Sequence, residues 1–180
     1  TSAKVFSSTD LEAPGIGLSS GGRFHHQGQS VLYLAENEQL SMIETLDKPN
    51  DASLIWIQKY RQHKTLEKIL DLRNDWTNMS YSTSELIEAL ITTGFTYEKV
   101  EDRSTYWRPQ YFVTNFISDC ARQAGFEGII YNSTRGSGSN IVLFNPDDEK
   151  ISPIGKPKVF IYDPKDSIDN ESIDDLTSVF

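Results

Sequence analysis

Three short segments place polar side chains beside apolar runs, and each could take part in binding a planar or anionic ligand. The first segment, residues 21–28, carries Arg23 among glycines and histidines. Glycine lets the backbone approach a ligand closely, and a planar guanidinium suits phosphate oxygens. An exposed turn with a surface arginine would explain the same residues. The adjacent His25 and His26 make a poor metal site, because neighbouring residues of an extended chain point to opposite sides.

The second segment brings together a tyrosine and a glutamate. Tyr33 lies in the apolar run 31–35, where it would share a strand face with Val31 and Ala35. A buried phenol needs a hydrogen-bond partner, and its ring can stack on a flat ligand. Glu44 lies at the border of the apolar stripe of the predicted helix that follows, where a carboxylate is costly unless it is paired. A core aromatic and a helix-edge salt bridge are the simple alternatives.

The third segment is the loop 133–140, which joins two predicted strands. It contains Ser133, Arg135, two glycines and, at its end, Asn140. Hydroxyls, an arginine and small residues are typical of an anion-binding backbone nest. A mobile hairpin loop is the alternative.

The elements that must position these segments follow from periodicity and turn signals. Strands are predicted at residues 31–35, 53–60, 66–72 (which could also be a helix), 128–131 and 140–144, and helices at residues 38–46, 82–93 and 109–124. In the last helix an apolar stripe predicts the buried face; it consists of Val113, Phe116, Ile117, Cys120 and Ala124. Short strands, few helices and no regular βαβ alternation predict an α+β fold. The dinucleotide fingerprint of a Rossmann fold is missing, because no third glycine opens a helix after the strand.

Charge and length predict a domain of residues 1–162 followed by an acidic tail, residues 163–180. The 180-residue chain has a net charge of −9, and the tail, with six acids and one lysine, contributes −5 of it. Because phosphates repel an acidic surface, direct nucleic-acid binding is not expected. The absence of a run of about 18 apolar residues argues against a membrane span.

Cysteine and histidine counts bear on metals and compartment. The single Cys120 cannot form an internal disulfide, which is typical of a reducing, cytoplasmic setting. One cysteine and three histidines make a structural zinc site unexpected. No signal peptide is visible at the start of the sequence. We therefore expect a cytoplasmic protein without a metal.

Taken together, the segments resemble the RES family, which is named for an arginine, a glutamate and a serine. The match extends over two signatures and covers about half of the chain. The first signature comprises Gly22-Arg23-Phe24, Gly28, Leu32-Tyr33-Leu34-Ala35 and Glu44. The second comprises Gly125-Phe126-Glu127-Gly128, Ser133 and Asn140-Ile141-Val142-Leu143-Phe144. Residues 106–111 and the helix after them also fit.

The resemblance implies an ADP-ribosyltransferase-like core of short strands in a split or mixed sheet with flanking helices. It also implies an NAD-degrading enzyme that breaks the nicotinamide–ribose bond, with phosphate or water as acceptor. Many relatives are toxins that an antitoxin or immunity protein inhibits. NAD would be a substrate, and no metal is expected.

The implied roles fall on five residues. Glu44 would stabilise the positive charge that develops on the ribose, and Arg23 would anchor the pyrophosphate. Tyr33 would pack against the nicotinamide end, and Ser133 would hydrogen-bond the substrate or an incoming phosphate. Asn140 is a weaker candidate that would hold the loop.

Two other functions use the same residues. An ADP-ribosyltransferase that modifies a macromolecule would have the same NAD site. The third possible function is that of a degenerate NAD-binding module, which would bind NAD without turning it over. Its support is that family members often have an arginine near the start, where this chain has Lys4. Whether Lys4 replaces that arginine is left open.

Overall fold

Two β-sheets form the framework of the chain. The computed structural model describes residues 5–46, 53–73, 85 and 109–162. The strands are β1 (Val31–Ala35), β2 (Ser53–Gln62), β3 (Ile69–Asp71), β4 (Gly128–Asn132), β5 (Ser139–Phe144) and β6 (Ile151–Tyr162). Four of them form a sheet in the order β1-β5-β4-β3, in which β3 and β4 run parallel and the other neighbours antiparallel. Strands β2 and β6 form a separate antiparallel pair.

One face of the four-stranded sheet packs against helix α2 (Phe112–Gln123), which follows a 3-10 turn at Pro109–Tyr111. Because side chains alternate along a strand, residues two apart share this face. The cluster beneath the helix contains Val31, Ile129, Val142 and Ala121. Burying apolar side chains on both elements joins the helix to the sheet.

The other face of the sheet packs against the β2–β6 pair. Leu32 and Leu143, which lie opposite each other in the register of β1 and β5, form a second cluster with Ile151 of β6. Helix α1 (Glu38–Thr45) lies beside this pair, where Leu46 packs with Ile55 and Ile57. Helix α1 is therefore held close to the end of β1, from which it follows directly.

The α+β class with a mixed sheet is confirmed, and so are most of the predicted elements. The strand at 31–35 has the predicted bounds, and the segment 66–72 contains a strand rather than a helix. Strand β6 was not predicted, since Pro153, Gly155 and Pro157 interrupt its pattern and proline within a run argues against a central strand. Among the described strands, β6 pairs with β2 alone, and prolines are compatible with a strand that is paired on one side.

The predicted buried face of helix α2 is wrong in part. Phe116 is 63% exposed and Cys120 is also exposed, whereas Thr114 and Ser118 are each only 1% exposed. The polar residues can be buried because each hydroxyl donates to a backbone carbonyl, Thr114 to Tyr111 and Ser118 to Phe24.

Some predictions lie outside the described residues. These are Lys4, the acidic tail at 163–180 and the helix at 82–93, of which only Glu85 is described, in helical conformation. Among the helices of the described ranges, none combines the length and the apolar character that a membrane span requires.

Candidate active site

The face of the sheet that packs on α2 changes from apolar to polar at one end. In the register of strands β1, β5 and β4, Asn140 of β5 lies opposite Ala35 of β1 and Tyr131 of β4. Beyond these residues lies a cavity of about 350 Å³. Four of the five predicted site residues line it: Arg23, Tyr33, Glu44 and Asn140.

Glu44 lies in the last turn of α1 with its carboxylate beside the cavity. Its Oε1 accepts hydrogen bonds from Ser133 Oγ at 2.6 Å and from Asn140 Nδ2 at 2.7 Å. Asn140 is 5% exposed, so its amide is held in place. Among the described residues, no hydrogen bond reaches Oε2. The carboxylate is thus fixed through one oxygen, and the helix-edge salt bridge considered above is not found among the described residues.

Ser133, the fifth predicted residue, lies behind Glu44 and not on the cavity wall. Its hydroxyl donates to Glu44, and its oxygen accepts the backbone N–H groups of Arg135 at 3.0 Å and Gly136 at 3.2 Å. The loop after β4 therefore turns around this hydroxyl. The geometry connects Ser133 to the carboxylate, whereas the sequence interpretation connected it to the substrate.

Tyr33 has an enclosed hydroxyl and an accessible ring. The backbone N–H of Phe24 donates to the hydroxyl at 3.1 Å, and His25 Nδ1 lies 2.9 Å from it. Burial raises the pKa of the Tyr33 phenol well above its usual range, so the group stays neutral at physiological pH. The residue as a whole is 40% exposed, which leaves ring surface facing the cavity. Such a surface can stack on a flat ligand.

The loop that carries Arg23 is folded tightly against Tyr33. Gly22 and His25 form an isolated antiparallel bridge around Arg23. A Cβ atom on Gly22 would lie 2.5 Å from Cε1 of His25, so a side chain at this position would displace the histidine ring. Arg23 itself lines the cavity. The absence of a side chain at Gly22 therefore leaves room for the His25 ring beside the Tyr33 hydroxyl.

With this geometry, the family can be assigned. Residues 4–163 match the RES domain family, a span that includes all five predicted site residues. The chain belongs to the RES domain family. No curated protein matches it. The resemblance drawn from the two sequence signatures is confirmed.

The RES domain cavity also contains residues that the sequence prediction did not place in the site. Tyr111 precedes helix α2, Tyr131 lies on β4, and Ser41 of α1 faces the same space. Burial also raises the pKa of the Tyr131 phenol well above its usual range. The alternation of side chains along β4 could have indicated Tyr131, because it is two residues from the fully buried Ile129 and shares its face of the sheet.

The described part of the RES domain has no group of three or more histidine, cysteine or acidic side chains that could hold a metal ion.

Arg135 lines the cavity, but its Nη1 donates to backbone carbonyls at the end of α1. The sequence indicated that Arg135 could bind an anion. In the structure, its Nη1 instead contacts carbonyl oxygens of the protein.

Proposed function

We propose that this RES domain binds NAD in the cavity beside Glu44 and breaks the bond between nicotinamide and ribose, with phosphate or water as the acceptor. The observation that carries the proposal is the carboxylate of Glu44, which two donors hold through Oε1 at the cavity wall. A negative group fixed before the reaction begins stabilises a positive charge without having to reorient.

The chemistry requires such a charge. When the bond between ribose C1 and the nicotinamide nitrogen breaks, its electron pair leaves with nicotinamide, and the ribose becomes a cation resembling an oxocarbenium ion. The carboxylate of Glu44 stabilises that cation. An oxygen of water or phosphate then bonds to C1, and a proton of water, where water is the acceptor, passes to the solvent. The products are nicotinamide and either ADP-ribose or its phosphate ester.

The other cavity residues bind and orient the substrate. Arg23 presents a guanidinium suited to the pyrophosphate oxygens. The ring of Tyr33 packs against the nicotinamide end, and its neutral hydroxyl is already engaged with Phe24 and His25. Ser133 and Asn140 hold Glu44, so their contribution is to its position. A cavity of about 350 Å³ is near the lower end of the range of about 300–1,000 Å³ for small-molecule sites.

In the cell, we propose that the domain acts as a toxin on cytoplasmic NAD and is held inactive by an antitoxin or immunity protein. The support is the family membership of residues 4–163. Free consumption of NAD would harm the cell that makes such an enzyme, which is the reason to expect an inhibitory partner.

The proposal is tested by incubating the purified chain with NAD, with and without phosphate, and separating the nucleotides by chromatography. We expect free nicotinamide in both mixtures, and a change in rate or product when phosphate is added. Equal rates with only ADP-ribose across a phosphate titration would exclude phosphate as acceptor. Transfer of label from NAD to an added protein, without free ADP-ribose, would favour an ADP-ribosyltransferase. NAD binding without turnover would favour a degenerate binding module.

A further inference from the structure

Arg135 contacts the end of helix α1 with a single nitrogen. Its Nη1 lies 2.9 Å from each of three carbonyl oxygens, those of Ile43, Glu44 and Leu46. The side chain is half-buried, and the loop that carries it lies 89 to 92 residues away in sequence from these partners. The contact therefore belongs to the tertiary structure and not to a local turn.

The same residue reaches Glu44 by a second route. The backbone N–H of Arg135 donates to Ser133 Oγ at 3.0 Å, and Ser133 Oγ donates to Glu44 Oε1 at 2.6 Å. The side chain of Arg135 thus holds the backbone of Glu44, while its main chain holds the group that orients the carboxylate. No other described residue bonds both to the carbonyl of Glu44 and to a donor of its carboxylate.

Helix α1 needs such a contact at this end. It has only eight residues, and its last carbonyls have no partners within the helix. The C-cap is Leu46, and the sequence directly after it has no glycine to complete a capping turn. The partial negative charge of these carbonyls also lies next to the carboxylate of Glu44. A guanidinium at the helix C-terminus offsets that charge and satisfies the carbonyls together.

We infer that Arg135 is a positioning residue, which sets the place of the Glu44 carboxylate at the cavity wall and does not act through contact with the substrate. This inference rests on the proposed function for its kinetic consequences, although the contact itself can be tested without activity. A displacement of about 1 Å at a reacting group can lower a rate by about 100-fold. Loss of Arg135 should therefore reduce kcat and leave the affinity for NAD nearly unchanged.

The matched comparison is Arg135→Met against Asn37→Ala. Asn37 caps the opposite end of the same helix, where its side chain accepts the backbone N–H of Leu40 at 2.8 Å. Both substitutions remove a cap from α1, but only the first removes a contact to Glu44. We expect Arg135→Met to lower kcat about 10- to 100-fold with KM within about twofold, and Asn37→Ala to leave kcat within about twofold.

Three outcomes would overturn the inference. Equal losses of kcat in the two variants would indicate a merely structural role, and a raised KM with an unchanged kcat would indicate a substrate contact. Unchanged kinetics in Arg135→Met would show that the contact has no effect on turnover. Should the Met variant fail to fold, Arg135→Gln takes its place, because its amide can donate to one carbonyl at most. We expect it to lower kcat in the same direction with KM within about twofold, and unchanged kinetics or a loss confined to KM would again overturn the inference.

A measurement without NAD separates this inference from the proposed function. The amide of Leu46 donates to the carbonyl of Met42, and its hydrogen exchange reports on the last turn of α1. We expect faster exchange of Leu46 in Arg135→Met and no change in Asn37→Ala. If the wild-type chain consumes no NAD, the proposed function fails while this exchange still decides whether Arg135 holds Glu44. Unchanged exchange in Arg135→Met would overturn the inference in either case.

Discussion

At the scale of single residues, the neighbours of Glu44 in the described ranges hold its carboxylate through Oε1. Ser133 and Asn140 both donate to this oxygen. Hydrogen bonds to a charged group are stronger than those between neutral groups, so two of them fix the side chain well. Neither donor carries a charge, so neither forms an ion pair with the carboxylate in place of a ligand in the cavity.

Replacing Ser133 with alanine distinguishes positioning from substrate contact. Since the hydroxyl lies behind Glu44, we expect kcat for NAD cleavage to fall at least about 10-fold while NAD affinity changes less than about twofold. Calorimetry and steady-state kinetics on the same preparation measure both quantities. Ser137→Ala, on the exposed part of the same loop, is the control. Weakened NAD binding with an unchanged kcat would indicate that Ser133 contacts the substrate.

Gly22→Ala should disturb the pairing of His25 with Tyr33. The new Cβ would lie 2.5 Å from Cε1 and 3.0 Å from Nδ1 of His25, so the ring must shift from the position in which Nδ1 contacts the Tyr33 hydroxyl. Overpacking of this kind destabilises a protein by about 1–3 kcal/mol. We expect a lower free energy of unfolding in urea, together with weaker NAD binding.

Gly15→Ala is the matched control for that change. Of the residues that the structure describes, its Cβ would meet Leu18 alone, at an ordinary contact distance of 3.5 Å, and Gly15 is not among the glycines with a positive φ. Its stability should change by less than about 0.5 kcal/mol. If Gly22→Ala is as stable and binds NAD as tightly as Gly15→Ala, the tight packing described at this loop is incorrect.

At the scale of elements, the sequence predicted the helices and strands whose local residue pattern agrees with their burial in the fold. Strand β1 is a short apolar run, helix α1 has apolar residues at helical spacing, and the structure has both elements. Strand β6 was not predicted, because its prolines locally disfavour a strand and its pairing with β2 outweighs that preference. The buried face of α2 was misjudged because hydrogen bonds make Ser118 and Thr114 compatible with burial, and hydrophobicity alone does not reveal such partners.

The burial of Ser118 in helix α2 gives a direct test of which face of the helix is buried. Ser118 Oγ donates to the carbonyl of Phe24 at 2.6 Å, which ties the helix to the loop carrying Arg23. Ser118→Ala leaves that buried carbonyl without this donor, and we expect a loss of about 1–3 kcal/mol in the free energy of unfolding. Cys120→Ala, two residues further along the same helix but exposed, should change it by less than about 0.5 kcal/mol. The opposite order would support the apolar stripe as the buried face.

At the scale of the whole molecule, the site joins parts of the chain that are far apart in sequence. Arg23, Glu44 and Asn140 come from a loop, a helix and a strand, yet they meet at one cavity. Residue types and motif order indicated which residues belong together. They did not show that Ser133 lies behind Glu44, because that depends on how the loop after β4 turns around its hydroxyl.

The acidic end of the chain should be dispensable. Strand β6 ends at Tyr162, which lies opposite Ser53 and packs with Leu46, Ile55 and Ile57. Residues 163–180 carry −5 of the net charge and few apolar side chains, so we expect a chain truncated after Tyr162 to keep its melting temperature and its NAD turnover. A second truncation that also removes Phe160–Tyr162 should lower the melting temperature. Unfolding or loss of turnover in the first truncation would show that the domain extends beyond residue 162.

The most direct test of the central claim is Glu44→Gln, with NAD binding, NAD consumption and melting temperature measured on one preparation. Glutamine keeps the size and an oxygen that Ser133 and Asn140 can still bond, but it removes the negative charge. If the charge acts mainly in the transition state, NAD should still bind while turnover falls about 10²–10³-fold. The melting temperature should change little, because one half-buried charge has been removed and both donors keep a partner. A Glu44→Gln protein that consumes NAD within a few-fold of the wild type would contradict the account.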